Sequence, residues 1–102
     1  MAEWKSVASV SDLSVGRGLG VNVDGKVLAV FNIEGKFYAM NDECTHAGGS
    51  LSEGFIEGKT VACPWHDAIF DITTGKVLKA PASEDAQTYN VRVEDGQVQI
   101  EV

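Results

Sequence analysis

Four residues of this chain carry side chains that hold soft or borderline metals, and they fall into two short straps. Cys44-Thr45-His46 is followed, after sixteen residues, by Cys63-Pro64-Trp65-His66. The chain has two cysteines and two histidines in all, so none is left over. Each strap sets a thiolate and an imidazole close enough to point into one cavity. Taken singly, a cysteine is usually a small buried hydrophobe and a histidine a satisfied polar residue. All four, paired in this way, argue for a metal site. A structural zinc ion takes two cysteines and two histidines tetrahedrally, but zinc fingers group like with like, as C-x₂₋₄-C and H-x₃₋₅-H. One donor of each kind in either strap suits a two-iron, two-sulfide cluster with unlike irons, one held by thiolates and the other by imidazoles. A thiol catalyst built on Cys63 and His66 would leave Cys44 and His46 without a role.

Loops must carry the straps, and short strands must carry the loops. A residue-Gly-Lys/Gln pattern recurs between β-prone runs at "VDGKV" (23–27), "IEGKF" (33–37), "IEGKT" (56–60), "TTGKV" (73–77) and "EDGQV" (94–98). Such dipeptides supply the positive φ angles of tight hairpin turns. "KVLAVFNI" is long and apolar enough to be a strand buried on both faces. Tyr89, Val91 and Val93 alternate with polar residues, as do Val98, Ile100 and Val102. The irregular spacing excludes a repeat protein and predicts an antiparallel meander. Helix signals are weak; the best is a short turn over 9–16, capped by Ser11 and stopped by Gly16. The segment 41–52, "NDECTHAGGSLS", has no alternation and reads as a loop bending closely around something. An all-β sandwich or small barrel is expected.

The 102 residues allow one domain with one modest core. Fifteen acidic and eight basic residues leave a formal charge of −7, which argues against nucleic acid or an anionic membrane as partner. No apolar run approaches the length of a membrane span, and the longest is Val27–Phe31. The N-terminal stretch lacks an apolar signal core, so the cytoplasm is expected, where cysteines serve as ligands or free thiols.

With "CTHAGGSL" and "CPWH" in place, the pattern C-x-H-x₁₆-C-x-x-H resembles the Rieske [2Fe–2S] family. The similarity runs from about Asn41 to Pro81, and the whole β-rich chain resembles the Rieske-type ferredoxins of ring-hydroxylating oxygenase systems. The resemblance implies that Cys44 and Cys63 bind one iron and that His46 and His66 bind the other. It implies a Rieske-like antiparallel β-sandwich of three sheets in a single domain, 1–102, with a cluster-binding loop subdomain at about 41–82. "LKAPA" (78–82) is similar to the proline loop that covers the cluster in that family.

The departures from the family's respiratory branch imply a low potential. The positions matching that branch's loop disulfide are Gly49 and Trp65, and those matching its two hydroxyl donors to sulfur are Ala68 and Phe70. Hydrogen bonds to sulfur favour the reduced form, so their loss places the potential near the lower end of the Rieske range, about −150 mV. Gly48 and Gly49 would let the first loop pass close to a sulfide, Pro64 stiffens the second strap, Trp65 shields the site, and Asp67 adds a carboxylate beside it.

No nucleophile–base pair remains once the four donors are used, so the expected role is that of an electron carrier and not an enzyme. The resemblance implies a monomeric shuttle between a flavoprotein reductase and a terminal oxygenase, with its acidic surface meeting basic docking faces. The rivals are a Rieske-type small subunit of a nitrite reductase and a structural zinc interaction module.

Overall fold

The computed structural model describes residues 3–43, 50–64, 68–79 and 85–101, and among them eleven strands form three antiparallel sheets. The strands are β1 (Trp4–Ser9), β2 (Arg17–Val23), β3 (Lys26–Ile33), β4 (Lys36–Asn41), β5 (Phe55–Glu57), β6 (Thr60–Ala62), β7 (Ile69–Asp71), β8 (Val77–Lys79), β9 (Thr88–Tyr89), β10 (Val91–Glu94) and β11 (Gln97–Glu101). Their orders are β1-β11-β10, β2-β3-β4-β9 and β5-β6-β7-β8. The all-β fold with three sheets is the one expected. No helix among the described residues is long and apolar enough to cross a membrane.

Strand β3 explains how the layers stack. Side chains on a strand alternate between faces, and here each face meets its own core. Ala29, Phe31 and Ile33 join Met40, Leu51, Val61, Cys63 and Phe70 on one side. Leu28 and Val30 join Leu13, Ala39, Val98 and Ile100 on the other. The middle sheet is therefore filled from both faces, as the unbroken apolar run of β3 requires. Burying a side chain such as Phe31 or Leu28 stabilises the fold by about 1.5–3 kcal/mol.

The turn pattern resolves into three kinds. Asp24-Gly25, Glu34-Gly35 and Asp95-Gly96 have positive φ at both residues, the geometry that matches the right-handed twist of a two-residue hairpin. In "IEGKT" the loop is Gly58-Lys59 and only Gly58 takes a positive φ, 58°. "TTGKV" makes a longer connection from β7 to β8, in which Gly75 (φ 78°) bonds back through its N–H to the Asp71 carbonyl at 2.7 Å. A Cβ on Gly75 would collide with the Ala86 carbonyl oxygen, so this glycine serves both angle and space.

Three expectations need correction. A pure meander is not formed: β1 pairs with β11 across nearly the whole sequence, and β9 returns to the edge of β4. Loops closed through a common core make such pairings favourable despite their separation. The short helix spans Val10–Asp12 as a single 3₁₀ turn with Ser9, not Ser11, at its N-cap, where the Ser9 N–H donates to the Asp12 carboxylate at 3.0 Å. Leu13, extended and buried, ends it before Gly16. Alternation also overstates the last hairpin. Tyr89 belongs to the middle sheet, and Val93 is 50% exposed on β10, while Val98 and Ile100 are fully buried.

Candidate metal centre

Of the four expected donors, the structure describes Cys63; Cys44, His46 and His66 lie outside the described residues, as do Gly48, Gly49, Trp65, Asp67 and positions 80–82 of "LKAPA". What is described is the framework from which three loops leave. Each loop is closed at its base by hydrogen bonds that sequence and topology together dictate.

Positions 44–49, which carry the first strap, follow β4 and Glu43. Asn41 is held from two sides: its N–H donates to the Gln87 carbonyl at 2.9 Å, and its side-chain oxygen accepts the Tyr89 hydroxyl at 2.7 Å. Burial raises the Tyr89 pKa, which keeps that hydroxyl a donor. Asp42 follows, 6% exposed, and grips the far end of the loop twice. Its carbonyl accepts the Leu51 N–H at 2.7 Å and its carboxylate accepts the Ser52 N–H at 2.8 Å, while its own N–H donates to the Val27 carbonyl at 3.1 Å. Glu43 and Ser50 form a single antiparallel bridge above this clasp.

Positions 65–67 fall between β6 and β7, which pair as a hairpin. Cys63 N–H donates to the Ala68 carbonyl at 2.7 Å and closes it. The inward alternation of Val61, Cys63, Ala68 and Phe70 then follows from strand geometry, and all four are fully buried. Cys63 and Leu51 share one core, so the bases of both loops stand on the same apolar floor. Gly54 lets them approach, because a Cβ there would meet the Ala62 carbonyl oxygen and the Val61 side chain. Ala68 and Phe70 share that core with Cys63 and carry no hydroxyl.

Positions 80–84 separate β8 from Asp85. The Asp85 carboxylate accepts the Val77 N–H at 2.9 Å, and the Ala86 N–H donates to the Gly75 carbonyl at 2.7 Å. Beneath it, the Asp71 carboxylate accepts the Thr73 N–H at 2.8 Å and the Thr73 hydroxyl at 2.6 Å, which holds its pKa below the ordinary 3.8. Sequence reasoning missed Asp42, Asp85 and Gly75 as loop clasps. The one signal was the place of Asp42, two residues before the first strap, and with fifteen acids in the chain that signal is weak.

The donor chemistry fits a two-iron, two-sulfide group. Two thiolates match the double positive charge of the oxidised core, and neutral imidazoles leave the whole site uncharged. Cys63 would meet such a group at an apolar wall, where low net charge is what burial demands.

The Rieske [2Fe-2S] domain model matches residues 3–90. The chain belongs to the Rieske [2Fe-2S] domain family, and a Rieske-type [2Fe–2S] cluster is the cofactor of that class. It is 40% identical over 100 residues to the ferredoxin component of the naphthalene 1,2-dioxygenase system of Pseudomonas putida, covering 98% of this chain and 96% of the relative. The solved Sphingomonas yanoikuyae B1 ferredoxin superposes with a TM-score of 0.92 at 31% identity, covering 98% of this chain and 99% of that one. A chain in the solved complex of reduced oxygenase and oxidized ferredoxin in carbazole 1,9a-dioxygenase matches with a TM-score of 0.90 at 36% identity, covering 95% and 91%. A nitrite reductase small subunit from Mycobacterium tuberculosis, covered to 96%, shares the fold at a TM-score of 0.89 over 100% of this chain but only 25% identity.

Proposed function

We propose that this chain is the soluble, cytoplasmic one-electron carrier of a ring-hydroxylating oxygenase system, taking electrons from a flavoprotein reductase and passing them to a terminal oxygenase. The full-length likeness to a dioxygenase ferredoxin component carries this reading, and the lower identity to a nitrite reductase small subunit makes that rival the weaker one. Membership of a [2Fe-2S] family displaces the structural zinc module.

Cys44 and Cys63 would hold one iron and His46 and His66 the other. The bound cluster supplies a single reversible electron. The chain's own residues do the rest. Asp42 and the Glu43–Ser50 bridge fix the span of the first strap, and the Cys63–Ala68 bond fixes the second. The floor formed by Leu51, Cys63, Ala68 and Phe70 keeps water from the inner side. Histidines on the outer side would give the electron its exit. The chain works as one domain, 1–102, with residues 41–82 as the cluster-bearing part, and as a monomer that leaves its cluster reachable. It performs no catalysis of its own.

Stopped-flow mixing tests the relay. The purified protein should accept one electron per chain from a flavoprotein reductase and NADH, and give it up on mixing with an oxygenase. His46→Ala and His66→Ala variants should do neither. Reduction that proceeds equally without His46 or His66 would overturn the ligand assignment.

A further inference from the structure

Strand β2 fills its two faces differently. Leu19 and Val21 pack against the core of Leu28, Val30, Val98 and Ile100. Gly18 and Gly20 alternate with them and so take the opposite face, the one that their partners Phe31 and Ala29 turn toward the core around Cys63. Neither glycine has a positive φ, so neither is needed for its backbone angle. A glycine inside a strand weakens it and often marks a place where other backbone comes close.

What comes close is the segment that closes the first strap. Leu51–Glu53 forms a single 3₁₀ turn ended by Gly54. A Cβ on Gly18 would lie 2.9 Å from the Ser52 carbonyl oxygen and 2.9 Å from the Phe31 ring. One on Gly20 would lie 3.1 Å from the Ser52 hydroxyl. Ser52 therefore straddles both glycines with no side chain between. The end of the turn packs as tightly against β6, where Gly54 meets the Ala62 carbonyl and the Val61 side chain just before Cys63. Leu51 is fully buried in the core that holds Cys63, and the Leu51 and Ser52 N–H groups both bond to Asp42, two residues before Cys44. One turn thus touches β2 and β6 together, tied to the start of one strap and stacked on the approach to the other.

We infer that Gly18 is a positioning residue for the cluster: by admitting the Leu51–Glu53 turn onto β2, it sets where the first strap stands relative to the second. The inference rests on the ligand assignment of the electron-carrier reading. A side chain at position 18 has nowhere to go, because Phe31 is fully buried and the Ser52 oxygen is main chain. The turn must lift, since a close-packed interior transmits such strain. Asp42 moves with it through its two bonds, and the spacing of Cys44 and His46 from Cys63 and His66 changes. A cluster's potential and spectrum follow the hydrogen bonding and solvent exposure around its sulfurs, which that spacing governs. Gly18 lies well before both straps, so nothing in the strap motif points to it.

The test compares cluster-loaded variants by redox titration, EPR and the rate at which an iron chelator bleaches them. Gly18→Ala should move the midpoint potential and the EPR g values, and should lose its cluster about tenfold faster than wild type. Gly20→Ala, whose Cβ meets only the Ser52 side chain, should show a smaller shift, and adding Ser52→Ala should remove it. Gly25→Ala is the control for lost stability: it is strained at positive φ but faces open space, and it should keep the wild-type potential and g values. A Gly18→Ala protein with wild-type potential and g values overturns the proposal, as does a Gly25→Ala protein shifted equally. Should Gly18→Ala fail to fold, Gly20→Ala decides alone, and unmoved values there overturn the proposal. A wild-type protein with no cluster spectrum would overturn the carrier reading itself. Amide exchange at Leu51 and Ser52 reads the seat without the cluster; it should accelerate in Gly18→Ala, and unchanged exchange would overturn the seat.

Discussion

Replacing Asp42 with alanine tests whether the first strap is held by one clasp. The carboxylate is buried and accepts the Ser52 N–H at 2.8 Å. Its two main-chain bonds, from the Leu51 N–H and to the Val27 carbonyl, survive the substitution. What is lost is a single hydrogen bond to a charged acceptor, leaving a part-buried N–H without a partner, which costs about 2 kcal/mol. For a domain of this size that corresponds to a fall in Tm of about 10 °C. Asp42→Asn keeps an acceptor oxygen in place and loses only the charge assistance, so its cost is about 1 kcal/mol. Glu43→Ala, next door but exposed, should stay within about 0.5 kcal/mol of wild type. The assay is thermal unfolding of the cluster-loaded protein followed by circular dichroism, with amide exchange read at Ser52. Exchange there should accelerate in the order wild type, Asp42→Asn, Asp42→Ala. An Asp42→Ala protein that melts within about 2 °C of wild type would refute the reasoning, as would unchanged Ser52 exchange.

Three further outcomes follow from the same framework. Gly75→Ala should destabilise by about 3 kcal/mol or more, whereas Gly25→Ala, also at positive φ but facing open space, should cost about 1 kcal/mol; urea unfolding compares them. Asp71 has its pKa lowered in the fold, chiefly by the Thr73 hydroxyl, so its stabilising contribution is complete above the ordinary 3.8 and disappears as pH falls through the lowered value. Asp71→Asn should therefore melt below wild type at pH 6, with the gap closing in that acid window; a gap independent of pH would count against the Asp71–Thr73 bond. Phe70→Tyr places a hydroxyl where the respiratory branch has its donor, and should raise the potential by about 50 mV if one neutral hydrogen bond to sulfur forms. An unchanged or lower potential in a spectroscopic redox titration would contradict the expectation that missing hydroxyl donors lower the potential here.

Much of this was legible in the residues. The unbroken apolar run of β3 announced burial on two faces, and Asp-Gly or Glu-Gly at 24–25, 34–35 and 95–96 announced two-residue hairpins, because each signal depends on local backbone sterics. The two straps announced the Rieske-type family, since few functions need a cysteine and a histidine twice at such spacing. Long-range choices were not legible. That β1 pairs with β11, and that β9 leaves Tyr89 on one sheet while Val91 joins another, depends on which cores close over which strands. The clasps were hidden for a related reason. Asp42 looks like any surface acid until topology brings Ser52 within 2.8 Å of it, and Gly75 looks like any turn glycine until Ala86 packs against it. Ser9 took the cap from Ser11 because Asp12 sits three residues on, where its carboxylate reaches the Ser9 N–H.

The most direct test of the central claim is a redox titration of the purified protein followed by visible and EPR spectroscopy. The account predicts a red-brown protein that bleaches on uptake of one electron per chain, near −150 mV, with the low-average-g signal of a Rieske centre. A colourless, EPR-silent protein holding one equivalent of zinc would contradict it.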